Sequence, residues 1–210
     1  MRRRGCVNWL ATIAMAMAAG CSILSPRPDA TKFYVLTATS TGAAAAPDAT
    51  RRLVIGLGPV KLPAYLEHAE VITRVAPNRL DLSSTDRWAE PLDDNFRRVL
   101  AADLTTLIGT DQVLPFPWDL STKVDYKIEV NVQRFERDSS GGAQLTASWI
   151  IRDGRSDRVL LTRPADFIES AGSGMESSAA SLSADLNDLS KQLADAVIDL
   201  NQQRQTHVAN

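Results

Sequence analysis

Leu53-Val54-Ile55-Gly56-Leu57-Gly58-Pro59-Val60 is apolar without interruption. A run of that length reads as a central strand covered on both faces. Pro63-Ala64-Tyr65-Leu66 breaks it, and Val71-Ile72-Thr73-Arg74-Val75 reads as the next strand. Pro77-Asn78 makes a turn into a short strand, Arg79-Leu80-Asp81-Leu82. Covered strands need helices, and two follow. Between Pro91 and Ile108, Leu92, Phe96, Val99, Leu100, Leu104, Leu107 and Ile108 recur at three- and four-residue steps. Pro91 suits the first turn and Gly109 the cap beyond the last. Leu182, Leu186, Leu189, Leu193, Val197 and Leu200 form a second stripe across residues 178–200, and residues 201–210 read as a polar, frayed tail.

Between the helices, Val124, Tyr126, Ile128, Val130 and Val132 alternate with polar residues, the mark of a half-exposed strand. Phe135 falls on the other parity, which predicts a bulge near Gln133 or Arg134. Ser139-Ser140-Gly141-Gly142 turns the chain, and Leu145, Ala147, Trp149 and Ile151 alternate back as the second arm of a hairpin. Asp153-Gly154 marks another turn before a strand at 158–162, and Gln112 to Leu114 fits a short strand. Upstream, Lys32-Phe33-Tyr34-Val35-Leu36-Thr37 reads as a first strand and residues 40–50 as a loop. The sum is one α/β domain over residues 32–200, a mixed β-sheet packed by two main α-helices.

The first twenty residues do not belong to that domain. Arg2, Arg3 and Arg4 precede an apolar stretch from Val7 to Ala19, and Ala18-Ala19-Gly20 places small residues before Cys21. The apolar stretch is shorter than the ~20 residues a spanning helix needs, and the arrangement fits a cleaved signal peptide. It resembles a lipoprotein signal, which implies cleavage between Gly20 and Cys21 and acylation of Cys21. The alternative is an ordinary secretory signal that happens to end at a cysteine. Residues 21–31, with Pro26 and Pro28, form a tether that reaches at most ~33 Å.

Cleavage removes three of the 23 basic residues and none of the 25 acidic ones, leaving a net charge of about −5. No basic cluster survives, which argues against nucleic acid as a partner and against electrostatic adhesion to anionic headgroups. Cys6 lies in the signal, so the folded domain carries no thiol for a disulfide, a zinc site or a nucleophile. His68 stands between Glu67 and Glu70, but such close neighbours rarely converge on one point. Gly56-Leu57-Gly58 lacks the third glycine of a phosphate loop, and Pro59 sits where a backbone donor is wanted. No cofactor, no metal and no enzymatic activity are expected.

Gly58-Pro59-Val60-Lys61-Leu62-Pro63-Ala64-Tyr65-Leu66, then Ile72-Thr73-Arg74, then Arg87-Trp88-Ala89-Glu90-Pro91-Leu92-Asp93-Asp94 resembles the PqiC/YmbA family of ABC-type transport auxiliary lipoproteins. Phe33 to Leu36, the Arg134-Phe135 pair and the strand from Leu145 to Trp149 follow in the same order. The resemblance implies a periplasm-facing lipoprotein, anchored through Cys21 and held in the outer membrane. Ser22 after the cysteine agrees with that sorting. Its implied partners are an MCE-domain periplasmic protein and the inner-membrane permease of a lipid or hydrophobic-solute transport system. Because MCE proteins form rings, a homo-oligomeric ring of the lipoprotein is a further expectation.

Two readings of the motif residues stay open. In one they pack: Trp88 anchors the helix to the sheet, Tyr65 closes a turn, and Arg74 pairs with Glu70 or Glu90. In the other, Tyr65, Leu66, Arg74, Trp88 and Glu90 bind the partner, since Tyr and Arg are common interface anchors. A lipid-binding module that itself carries a lipid needs an apolar pocket of ~300–1,000 Å³. A lipid-modifying hydrolase needs His68 in a pocket beside a nucleophile.

Overall fold

The computed structural model describes residues 30–40, 48–119, 121–170, 172 and 174–209. The expected signal peptide, Cys21 and the tether up to residue 29 lie outside the described residues. Among the described residues the elements run β1 (Lys32–Tyr34), α1 (Asp48–Arg51), β2 (Ile55–Lys61), a 3-10 turn (Ala64–Leu66), β3 (Glu70–Ala76), β4 (Arg79–Trp88) and α2 (Leu92–Ile108). They continue with β5 (Val113–Pro115), β6 (Tyr126–Asp138), β7 (Ala143–Asp153), β8 (Val159–Glu169) and α3 (Met175–Ala209). Residues Thr31–Asn210 form a compact unit, and the hydrophobic core cluster is drawn wholly from it, so this segment carries its own core.

β6 is the spine of a mixed, eight-stranded sheet. β7 pairs antiparallel along one edge, from Tyr126 opposite Asp153 to Arg137 opposite Ala143, and β8 pairs antiparallel outside β7. The other edge is shared. β2 runs parallel to β6 from Ile55 opposite Tyr126 to Lys61 opposite Asn131, and β3 takes over at Thr73 opposite Arg137 and Arg74 opposite Asp138. The 3-10 turn lies in the chain that links these two end-to-end strands. β5 flanks β2, while β4 and then β1 extend the sheet beyond β3. α2 and α3 pack against each other, with α3 over β6, β7 and β8 and α2 over β2 and β5.

The parity switch is a bulge: register slips between Val132 and Arg134. The extra residue returns Phe135 to the core, edge-on to Phe96 of α2 at 5.1 Å and 89°. Gly56 and Gly58 serve packing. A Cβ at Gly56 would stand 2.7 Å from the Trp118 ring, and one at Gly58, whose φ is +130°, 2.5 Å from the Phe116 Cβ. Those aromatics lie where a phosphate would have to approach.

A buried polar belt holds the chain that follows β1. Asn95 of α2 accepts from the Leu36 N–H at 2.6 Å and donates to the Leu36 carbonyl at 3.3 Å. Asp103 accepts from the Ser40 N–H at 3.2 Å, and Ser183 of α3 from the Thr37 N–H at 3.2 Å. Residues 36–40 are thereby strapped to both helices, so β1 ends at Tyr34 rather than at Thr37.

Other boundaries also differ from expectation. β4 reaches Trp88 instead of Leu82: past a register shift, where Ser83 Oγ accepts from the Thr85 and Asp86 N–H groups, it pairs again with β3 through Arg87 opposite Glu70 and with β1 from Asp86 to Trp88. β8 continues to Glu169 through Pro164, which an edge strand tolerates. α1, at residues 48–51, takes up the end of the loop expected at 40–50. α3 runs on to Ala209 in place of a frayed tail, with Asn201 buried and Arg204 stacked 4.7 Å over the Tyr126 ring. Among the described residues, no helix is long and apolar enough to cross a membrane.

Candidate functional site

Pro63, at φ −66° and ψ 144°, is extended and starts the 3-10 turn. The Leu66 N–H donates to the Pro63 carbonyl at 2.9 Å, and the Glu67 N–H to the Ala64 carbonyl at 3.1 Å. This tight turn sends Leu66 into the core and leaves Tyr65 half-buried against it. The Tyr65 hydroxyl is buried and makes no hydrogen bond, yet it lies near enough to Glu136 and Arg74 to influence both.

Glu136 is the centre of the site. The bulge that buries Phe135 also buries its neighbour, and the Glu136 side chain is 1% exposed. Its Oε1 accepts from Arg74 Nε and from Arg134 Nε, the latter at 3.2 Å, while Oε2 has no partner. Burial disfavours the carboxylate, but the hydrogen bond from Arg74, helped by the nearby Tyr65 hydroxyl and by Arg134, outweighs it and holds the Glu136 pKa below its usual value. Burial, then the Glu136 carboxylate, pushes Tyr65 up to about 12, so its hydroxyl stays protonated. Arg74 Nη1 donates to the Pro77 carbonyl at 2.9 Å and closes the β3–β4 turn.

Two guanidiniums thus share one carboxylate oxygen at the edge of an open groove of about 540 Å³. Val75, Ala76 and Pro77 line one side of it and Asp138 and Ser139 the other. Asp138 is engaged within its own turn: its Oδ1 accepts from the Ser140 N–H, the Ser140 hydroxyl and the Gly142 N–H at 2.6–2.9 Å. The cationic donors at the groove are the Arg74 and Arg134 guanidiniums. This arrangement suits recognition of a carboxylate-bearing segment.

The five residues expected to bind a partner separate. Tyr65 and Arg74 come together around Glu136. Leu66 and Trp88 are 4% and 6% exposed and belong to the core, so neither offers a surface as it stands. Glu90 pairs with Arg98 of α2, away from the Tyr65–Arg74 pair. Arg74 pairs with Glu136 rather than with Glu70 or Glu90, because Arg87 takes Glu70 at 3.4 Å. Glu136 and Arg134 were the residues to find, and their signal is the parity switch after Val132, where two consecutive residues turn inward.

His68 is exposed, which removes the pocket a hydrolase would need around it. Among the described residues, no group of three or more His, Cys, Asp or Glu could hold a metal ion. The enclosed cavity between the sheet and the helices, lined by Leu66, Trp88, Phe135, Glu136 and Leu182 among others, measures about 10 Å³. That is room for about one water and not for an acyl chain.

Residues 34–194 match the family model described as ABC-type transport auxiliary lipoprotein component. The chain is 27% identical over 144 residues to the intermembrane transport lipoprotein PqiC of Escherichia coli K12, covering 69% of this chain and 73% of that protein. The PqiC of Shigella flexneri gives the same figures. Among solved structures, a protein from Xanthomonas campestris is similar with a TM-score of 0.67 at 18% identity, over 84% of this chain and 99% of that one. A crystal structure of an uncharacterized protein gives 0.62 at 19%, over 80% and 99%. At such identities these structures show the fold.

Proposed function

The chain belongs to the ABC-type transport auxiliary lipoprotein family, and from that premise we propose that it is a non-enzymatic docking subunit of an envelope transport system. Cleavage between Gly20 and Cys21 and acylation of Cys21 anchor it to the outer membrane, facing the periplasm. Each buried CH₂ of an acyl chain contributes about 0.8 kcal/mol, and two or more chains make such anchoring stable. The domain then receives the periplasmic MCE protein that works with the inner-membrane permease. Transported lipids or other hydrophobic molecules pass along the assembly, and several copies of the lipoprotein form a ring around its end.

The observation that supports this reading is the Tyr65–Arg74–Glu136–Arg134 cluster beside its open groove. The turn is preorganised by Pro63, the arginines are aligned by a buried carboxylate, and the surface carries donors without chemistry. Leu66 and Trp88 contribute from beneath by fixing the turn and the start of α2. The strap at residues 36–40 ties the chain that follows β1 to both helices.

Purification of the lipidated protein from native envelopes in mild detergent, with mass-spectrometric identification of companions, tests the reading. Recovery of an MCE-domain protein and a permease is expected, and Ala76→Glu, at an exposed position on the groove wall, should lose them while retaining the wild-type melting curve within a few degrees. Recovery of the lipoprotein alone would overturn the docking role.

A further inference from the structure

A second concave site lies at the far end of α3. Tyr126 at the start of β6, Arg158 and Leu160 after the β7–β8 turn, and Leu200, Arg204 and His207 of α3 line a cleft of about 330 Å³. Tyr126 is 1% exposed, and its hydroxyl is buried with no hydrogen-bond partner. A buried polar atom left unpaired in a folded protein calls for a partner. Burial pushes the Tyr126 pKa up, against the lowering effect of Arg204, so the hydroxyl is a donor across the neutral range.

The charges around that donor are unevenly engaged. Asp153 Oδ1 accepts from the Arg155 and Ser156 N–H groups and the Ser156 hydroxyl, at 3.1, 2.8 and 2.8 Å. Asp125 Oδ2 accepts from the Val54 N–H at 3.0 Å. Arg204 donates to Asn201 Oδ1 at a long 3.4 Å and stands 3.6 Å from Asp125 Oδ1, with its guanidinium over the Tyr126 ring. Arg158 is exposed and its side chain has no partner among the described residues. The carboxylates are satisfied by backbone groups, whereas one cation is free and a second is loosely held. Leu160 and Leu200 pack partly buried against the core and leave apolar surface in the same cleft.

We infer that this cleft binds a single-chain anionic amphiphile. Its phosphate or carboxylate head would accept from Arg158, Arg204 and the Tyr126 hydroxyl, and its first methylenes would lie along Leu160 and Leu200. The volume sits at the lower end of the ~300–1,000 Å³ typical of small-molecule sites, enough for a head and a short stretch of one chain. The cleft shares no residue with the Arg74 groove, so the inference stands or falls independently of the docking role.

The test is a titration of the isotope-labelled segment Thr31–Asn210 with octyl phosphate and with octanoate below their micelle concentrations, followed by amide chemical shifts. Octanol and inorganic phosphate serve as tail-only and head-only probes. Saturable shifts at residues 126, 158–160 and 200–207 are expected for both amphiphiles, with each control at least tenfold weaker. Tighter binding of octyl phosphate identifies a phospholipid-type head, and tighter binding of octanoate a fatty-acid type; either supports the site. Arg158→Glu, at an exposed and unpaired position, should weaken binding at least tenfold with an unchanged melting temperature, and Tyr126→Phe should weaken it severalfold. Absence of saturable shifts, shifts matched by octanol or by inorganic phosphate alone, or an Arg158→Glu variant that binds normally would overturn the inference.

Discussion

Asp185 of α3 lies among Leu182, Leu186 and Leu189, is 0% exposed, and has no hydrogen-bond partner on either carboxylate oxygen. Burial, reinforced by the charges of Glu169, Asp188 and Asp166, pushes its pKa from 3.8 up to about 7. The unfolded chain releases this proton near pH 4, while the folded chain holds it until about pH 7. The folded state therefore binds more protons between those values, and stability falls as pH rises through that window. A shift of about three units at about 1.4 kcal/mol each is worth roughly 4 kcal/mol. Asp185→Asn keeps the shape and removes the titration. Urea denaturation of both proteins at pH 4, 5.5, 7 and 8.5 should give a steady gain for the variant from pH 4 to pH 7 and a levelling of the difference by pH 8.5. The total gain should be a few kcal/mol, or about 10 °C in melting temperature for a domain of this size. Glu136 and the surface carboxylates titrate in both proteins and cancel in the comparison. Parallel pH curves for wild type and variant would refute the reasoning.

Three other substitutions probe separate parts of the structure. Gly154→Ala places a Cβ 1.9 Å from the Val124 carbonyl oxygen, backbone that cannot swing aside, and should cost about 3 kcal/mol or more in chemical denaturation. Glu136→Gln leaves Arg74 and Arg134 without their shared anion. Given the partial exposure of both arginines, a loss of about 1–3 kcal/mol is expected near neutrality, shrinking as acid protonates Glu136 in the wild type. Asn95→Ala removes both hydrogen bonds to Leu36 and should raise amide exchange across residues 36–40 by at least tenfold, with a stability loss of about 2 kcal/mol.

Much of this architecture is legible in the chain because burial writes a period. The stripe from Leu92 to Ile108 and the paired alternations around Ser139–Gly142 point directly to α2 and the β6–β7 hairpin. The parity break before Phe135 marks the bulge. What stays hidden obeys other rules. Pro164 and the charges around it look like loop, yet an edge strand carries them without loss. Residues 201–209 lack an apolar stripe, and their helix is held instead by the stacking of Arg204 on Tyr126 and by the burial of Asn201. The polar belt of Asn95, Asp103 and Ser183 follows no apolar pattern, because its positions are set by the backbone of a strap distant in sequence. The same holds for the candidate site. Tyr65 and Arg74 stand out as residue types suited to an interface, but their common partner Glu136 lies more than sixty residues from either, and only the fold brings it between them.

Site-specific photo-crosslinking in living cells tests the docking groove most directly. A photoreactive residue at Ala76, exposed on the groove wall, is predicted to capture the MCE-domain protein, whereas one at exposed Asp195 on α3 is not. No capture at Ala76, or equal capture at both positions, would contradict the assignment of this groove as the place where the lipoprotein receives its transport partner.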